Sequence, residues 1–300
     1  MSIVKKRKLN NDVMLSESEK CTMQYTFYFE ITKPAEFTRL IASMTKLTAF
    51  IYFKINRKGF ESHNLDHTQT VVIKINSYEA GLQNLIYNGI NEHWKTHPNV
   101  VTNDDDCMHI QIHSNDIKNA LKNARNTEKI VICGSQCDLE HATIMCVGED
   151  ILFRSTIRLL NVDACEFTNN TEFKTKTLIN VQNDALLQSI RNMDDQSCVN
   201  VNIKVTKRDD ANQPQLKLEV QRNKHLKHEA FLSNVHYIAD DHDNVFDSDI
   251  DITLTYSIFA SIVKAFKERD VMLHFTENKM VIIEYKFSEL YDVRFFVSEI

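Results

Sequence analysis

Glycine and proline are scarce in this chain: five and three residues among 300. Gly59, Gly81, Gly89, Gly134 and Gly148 stand far apart. Loops that cradle phosphates need clustered glycines for close backbone approach, so neither a P-loop nor a GxGxxG turn is possible. No run of about 18 apolar residues exists, which excludes a membrane-spanning helix. The opening stretch, Met1 to Asp12, is polar and basic and lacks the apolar core of a secretory signal. The seven cysteines are single, scattered and odd in number, a pattern of a reducing compartment rather than a disulfide framework. Basic charge is also short: the net charge is −6, so the protein is not coated uniformly for nucleic acid. Net charge says little about one face, however, and the distribution has to be read.

What is present is ordinary for a globular protein, with 43% hydrophobic and 25% charged residues. Residues 1–23 read as a disordered basic tail. Its Lys5-Lys6-Arg7-Lys8 run is either a nuclear address or DNA-touching arm, or a solvated terminus. A strand is expected over Gln24–Glu30. Phe37, Leu40, Ile41, Met44 and Leu47 form one apolar stripe, which predicts a helix over Lys33–Leu47 with Pro34 in its first turn. Strands follow at Ala49–Asn56 and Thr70–Asn76, separated by a turn-rich stretch around Gly59 and Asn64-Leu65-Asp66. Residues 77–106 read as irregular, with a short helix over Glu79–Tyr87 and an acidic loop at Asp104-Asp105-Asp106. Then come a strand (Cys107–His113), a helix (Asn115–Arg125) and three strands (Lys129–Cys133, Ala142–Val147, Ile151–Leu160).

The second half repeats this grammar. Strand Lys176–Val181 precedes helix Asn183–Asn192, and Val199–Thr206 with Gln215–Val220 forms a hairpin. A strand over Ala230–Ile238 precedes an acidic loop, strand Ile250–Thr255 and helix Tyr256–Glu268. Strands Val271–Phe275, Met280–Phe287 and Tyr291–Val297 close the chain. Cys107–Leu160 and Ile250–Val297 thus read as two copies of one unit. The expected class is α+β: two duplicated domains, 24–160 and 175–300, joined by a connector over 161–174. Each has two helices packed on antiparallel sheet.

No catalytic constellation emerges. His225, His228, His236 and His242 cluster in sequence, but no cysteine or carboxylate completes a metal site. His109 and His113 share a strand face at about 13 Å, too far for one ion. Asp209-Asp210 and Asp240-Asp241 read as solvated turns rather than acid–base pairs. No nucleophile–base pair is found, no metal is expected, and no cofactor is expected. The predicted helices do carry basic polar sides: Lys33, Arg39 and Lys46 on the first; Lys118, Lys122 and Arg125 on the second; Gln188 and Arg191 on the third; Lys264 and Lys267 on the fourth. Much of that polar side reads as free of acids.

The segment Ile282-Ile283-Glu284-Tyr285-Lys286, followed by Val293-Arg294-Phe295-Phe296-Val297, resembles the closing strands of the proliferating cell nuclear antigen (PCNA) family of DNA sliding clamps. There a "VVEYK" strand precedes a "YYLAP" ending. Gly59-Phe60, Leu65-Asp66 and Thr70-Val71-Val72-Ile73 resemble the family's first-domain stretch. Ile157-Arg158-Leu159-Leu160-Asn161-Val162-Asp163 resembles the entry to its interdomain connector. The ending Val297-Ser298-Glu299 lacks the family's Ala-Pro, and Met280 stands where a proline is usual. These departures fit a divergent member, such as one from a large DNA virus.

The resemblance implies the DNA-clamp fold, no enzymatic activity, and a homotrimeric ring in the nucleus or at a viral replication site. The ring would encircle double-stranded DNA without reading sequence, as a processivity factor for DNA polymerase, placed by a clamp loader. All four helices would line its hole, so Lys33, Arg39, Lys46, Lys118, Lys122, Arg125, Arg191, Lys264 and Lys267 would touch phosphates loosely. Leu65, Phe167, Met280 and Phe296 would line a docking pocket for partner peptides of replication and repair enzymes. Asp150–Ile157 and Glu229–Val235 would pair between subunits. The same fold also serves heterotrimeric checkpoint clamps, and would serve a viral late transcription factor that no longer encircles DNA.

Overall fold

The computed structural model describes residues 25–56, 59–65, 71–77, 82–87, 101–103, 107–135, 137–138, 140–160, 162, 174–193, 198–207, 214–223, 226–232, 235–238, 249–266, 270–288 and 291–300. It is an α+β fold of antiparallel strands and four α-helices among these residues. Two compact units are formed. One draws on Met1–Thr45, Phe50–Glu61 and Ser77–Cys165; the other on Lys46–Ala49, Ser62–Asn76 and Glu166–Ile300.

The chain opens with β1 (Tyr25–Ile31), α1 (Pro34–Met44), β2 (Phe50–Asn56), β3 (Gly59–Leu65), β4 (Val71–Ser77), β5 (Leu82–Tyr87) and β6 (Val101–Asn103). It continues with β7 (Cys107–His113), α2 (Ser114–Ala120), a 3-10 turn (Ala124–Asn126), β8 (Lys129–Ser135), β9 (His141–Val147) and β10 (Leu152–Arg158). Next come β11 (Thr175–Gln182), α3 (Asn183–Met193), β12 (Asn200–Lys207), β13 (Pro214–Asn223), β14 (Leu226–Leu232) and β15 (Val235–Tyr237). The last elements are β16 (Ile250–Thr255), α4 (Tyr256–Ala265), β17 (Asp270–Thr276), β18 (Met280–Ser288) and β19 (Tyr291–Ser298).

Hydrogen bonding shows the repeat. The strand order β10-β9-β8-β1-β5 is matched by β19-β18-β17-β11-β15, and β4-β3-β2-β7 by β14-β13-β12-β16. The match extends to irregularities. In β1 the register shifts between Tyr25↔Ser135 and Phe27↔Gly134; in β11 it shifts between Thr175↔Thr276 and Thr177↔Phe275. One pair has no counterpart. β19 is hydrogen-bonded to β4, and both lie in the second unit, whereas β10 and β14 each end their own sheet.

Alternation buries one face of many strands, and β1 and β8 are buried on both. α1 turns Phe37, Leu40, Ile41 and Met44 inward, and Pro34 occupies the start of the helix, where its missing N–H costs nothing. In the first unit Phe60 contacts Phe29, Phe37 and Phe53 at ring-centroid distances of 5.4, 6.1 and 5.5 Å. A Cβ on Gly134 would collide with the Phe27 ring, so the shifted register at this point needs glycine. In the second unit the Phe266 and Tyr285 rings stack and Phe295 meets both edge-on, with centroids 5.1–6.1 Å apart. The Asn183 side-chain amide donates to the Phe266 carbonyl at 2.6 Å and fixes the end of α4.

Four sequence expectations are corrected. The stretch after Gly59 is strand β3, not a turn-rich link. Its inward positions include Ser62 and Asn64, joined by a 2.7 Å hydrogen bond, and polar inward residues hide the alternation. The helix expected over Glu79–Tyr87 is strand β5, paired with β1. Leu82, Leu85 and Ile86 satisfy a helical spacing, and a short apolar run cannot resist a sheet edge that offers pairing. The helix expected to reach Arg125 ends at Ala120 and tightens into the 3-10 turn, within the Asn-rich run that disfavours helix. The single strand expected over Ala230–Ile238 is two, because β14 pairs with β13 and β15 with β11.

Candidate nucleic-acid interface

Two helix pairs carry the candidate cations. α1 packs against α2 and the 3-10 turn; α3 packs against α4. Lys33 precedes α1, Arg39 is on it and Lys46 is in the turn after it; all three are exposed. Lys33 Nζ lies 3.8 Å from Glu36, so part of its charge is spent locally. Lys118, Lys122 and Arg125 are exposed along α2 and its following turn. Arg191 is exposed in the last turn of α3, beside exposed Gln188. Lys264, in the last turn of α4, is half-buried. Lys267 lies outside the described residues.

The polar sides are not free of acids. Glu36, Asp116 and Asp184 stand in the first turns of α1, α2 and α3, where the positive end of the helix dipole favours them. A cleft of about 480 Å³ adds to this. Lys122 and Arg125 share it with Glu149, Asp150, Ile151 and Phe153, so the basic residues nearest β10 face carboxylates as well as solvent.

The candidate docking residues are less assembled. Leu65 ends β3, and Phe167 lies outside the described residues. Met280 is 8% exposed, so most of its side chain is already packed. Its backbone N–H and carbonyl both bond the Thr276 hydroxyl, at 3.1 and 3.0 Å, locking the β17–β18 turn. Phe296 is half-buried on β19.

The two strands expected to pair between subunits are the sheet-ending strands β10 and β14. β10 and the residue before it expose Ile151, Leu152 and Phe153 at 56%, 55% and 38%. β14 exposes Phe231, but Leu232 is buried and opposite Leu216, so a change at Leu232 would damage the core. Sequence reasoning missed the charges around Phe231. Glu219 and Glu229 stand directly opposite across β13 and β14, and Lys217 and Lys227 bridge them at 2.7–3.2 Å. Hydrogen bonds from Lys217 and Lys227 hold the Glu229 carboxyl down at about 2. The signal was legible only in part: Lys217 and Glu219 sit at period-two outward positions, but the pairing register cannot be read from one strand.

On the sheet face of the second unit, Glu284 is buried, accepts a hydrogen bond from Arg294 Nε at 2.8 Å and has His274 Nε2 3.2 Å away. Burial pushes its carboxyl up, but the neighbouring His274 and Arg294 outweigh it and hold it below the usual range. Of the clustered histidines, His228 is half-buried and His236 exposed, and His225 and His242 lie outside the described residues. Among the described residues no three His, Cys, Asp or Glu side chains converge as a metal site would require.

No family model matches the chain, and no curated protein matches it in sequence. Solved structures do. The proliferating cellular nuclear antigen of Entamoeba histolytica superposes with a TM-score of 0.74, covering 92% of this chain and 100% of that one, at 12% identity. The fold is that of a PCNA-type DNA clamp. At that identity the likeness speaks for the clamp fold alone, and the duplicated strand orders and paired helices are its features in this chain.

Proposed function

We propose that this chain is a subunit of a DNA sliding clamp: a ring of three copies that encircles duplex DNA, holds a polymerase on it and catalyses no reaction. One observation carries the reading. β19 pairs with β4, while their counterparts β10 and β14 end their sheets with exposed apolar residues. Applying the internal arrangement between molecules sets β10 of one copy against β14 of the next. That is a head-to-tail contact, which closes into a ring rather than a two-fold dimer. Exposed cations on the helices supply loose, sequence-independent phosphate contacts, which suit a protein that slides.

The dimensions of the task require no tight binding, because encirclement itself lowers dissociation. Polymerase and clamp loader would dock short peptides beside Leu65, Phe167 and Phe296, with Met280 shaping the floor rather than making contact. The site of action would be the nucleus or a viral replication compartment.

Native mass spectrometry tests the ring: three copies are expected, and Phe231→Asp, which puts a charge on the β14 edge, should give monomers. A monomer that assembles only with other clamp subunits would favour the checkpoint reading. Retention on DNA tests the mechanism: circles should keep the loaded protein and cutting them should release it. Identical retention on circular and linear DNA would overturn the clamp mechanism.

A further inference from the structure

The first unit has a groove of about 160 Å³ on the sheet face formed by β1, β8, β9 and β10. Its floor is apolar, around Tyr25 and Met145, and continues into the buried cluster of Tyr28, Val131 and Cys133. Arg154, Thr156 and His141 line it. The repeat explains what is missing there. Arg154 stands opposite Met145 as Arg294 stands opposite Glu284, and Val131↔Met145 answers to Met272↔Glu284. Arg294 is bonded by Glu284 at 2.8 Å. In the first unit methionine occupies the position of that carboxylate. Arg154 is exposed, and among the described residues no carboxylate lies within ion-pair distance of it.

The other charges of the groove do not fill the gap. Asp138 is engaged by His141 Nδ1 at 3.0 Å and by the Glu140 backbone N–H at 3.1 Å. Arg158 is exposed on the same face of β10, four residues from Arg154 and opposite His141. We infer that this groove binds an acidic, extended peptide segment of a partner protein, whose carboxylate takes at Arg154 the place that Glu284 takes at Arg294. Two acids four residues apart in an extended segment are separated by about 13 Å, which matches the spacing of Arg154 and Arg158 on their strand. An apolar residue midway between them faces the same side, over Thr156 and Thr143. A doubly charged phosphate fits less well, because the Asp138 carboxylate shares the rim. The groove shares no lining residue with the surface at Met280 and Phe296, and its use does not depend on encirclement of DNA.

The test uses the full chain and a fluorescent peptide containing Glu-Val-Leu-Val-Glu, read by anisotropy, beside the same peptide with both Glu replaced by Gln. The Glu peptide should bind at least tenfold more tightly. Arg154→Gln should remove that difference, and Met145→Glu, which rebuilds the internal partner, should remove it too. Phe296→Ala should leave it intact. Equal affinity for the two peptides, or an unchanged difference in Arg154→Gln, would overturn the inference. So would a loss that follows Phe296→Ala instead, which would assign the peptide to the other surface. Competition by a DNA duplex that vanishes in Arg154→Gln would make the ligand nucleic acid, and an altered native mass of that variant would assign Arg154 to self-association; either result also overturns it.

Discussion

Along α1, α2 and the turns after them stand six exposed cations: Lys33, Arg39, Lys46, Lys118, Lys122 and Arg125. Along α3 and α4 the described cations are Arg191 and half-buried Lys264, and Lys267, after α4, lies outside the described residues. Yet the two helix pairs sit in the same strand order, down to a shared register shift. The difference shows that the duplicated frame is held by its interior and that the polar side of each copy is free to diverge. Phe27, Phe37 and Phe60 do for one core what Phe266, Tyr285 and Phe295 do for the other. Arg39 and Lys118, by contrast, are exposed on their helices.

The largest effect should come from the interior. Phe295→Ala removes a fully buried ring from the second core and should cost about 3–5 kcal/mol, measured by denaturant unfolding. Gly134→Ala forces the Phe27 ring aside in the first core and should cost about 1–3 kcal/mol. Wild-type stability in Gly134→Ala would show that the shared register shift tolerates a side chain.

The charge asymmetry comes next. Lys118→Glu with Arg39→Glu should weaken DNA retention far more than Arg191→Glu with Lys264→Glu. Loss of two phosphate contacts per chain, six in the ring, should also flatten the slope of log affinity against log salt by roughly 5. Equal losses in the two double variants would dissolve the comparison. Docking is a smaller effect still: Phe296→Ala should weaken a polymerase-tail peptide by more than about 1 kcal/mol in calorimetry.

The smallest effect concerns acid stability. The Glu229 carboxyl lies at about 2 when folded, below its ordinary 4.5. Between those values the unfolded chain binds more protons, so the stability it contributes is present above pH 4.5 and is lost as pH falls through 2. Glu229 is at the surface and its pairs are screened, so the change is slight. Glu229→Gln should make the unfolding midpoint fall less steeply than in the wild type over that window.

The sequence made the fold legible where one periodicity ruled. β7 and β16 coincide with the expected Cys107–His113 and Ile250–Thr255, because their apolar residues alternate without interruption. β3 was hidden by Ser62 and Asn64 on its inward face, and β5 by apolar spacing that suits either a helix or a strand. The exposed positions of Arg39 and Lys118 followed from the stripe on their helices. The groove at Arg154 did not, since it depends on which residue of β9 lies opposite which residue of β10. That register is a property of the folded pair, and so is the absence of a Glu284 counterpart.

The pairing of β4 with β19 has a consequence for biosynthesis. β4 leaves the ribosome roughly two hundred residues before the strand that completes its ladder. At about 5–20 residues per second that is a wait on the order of 10–40 s. Over this interval a strand edge built from Val71, Val72 and Ile73 has no permanent neighbour. An unpaired edge of this kind invites pairing with another chain, and release of the last few residues, which frees β19 to pair, is the step that closes it.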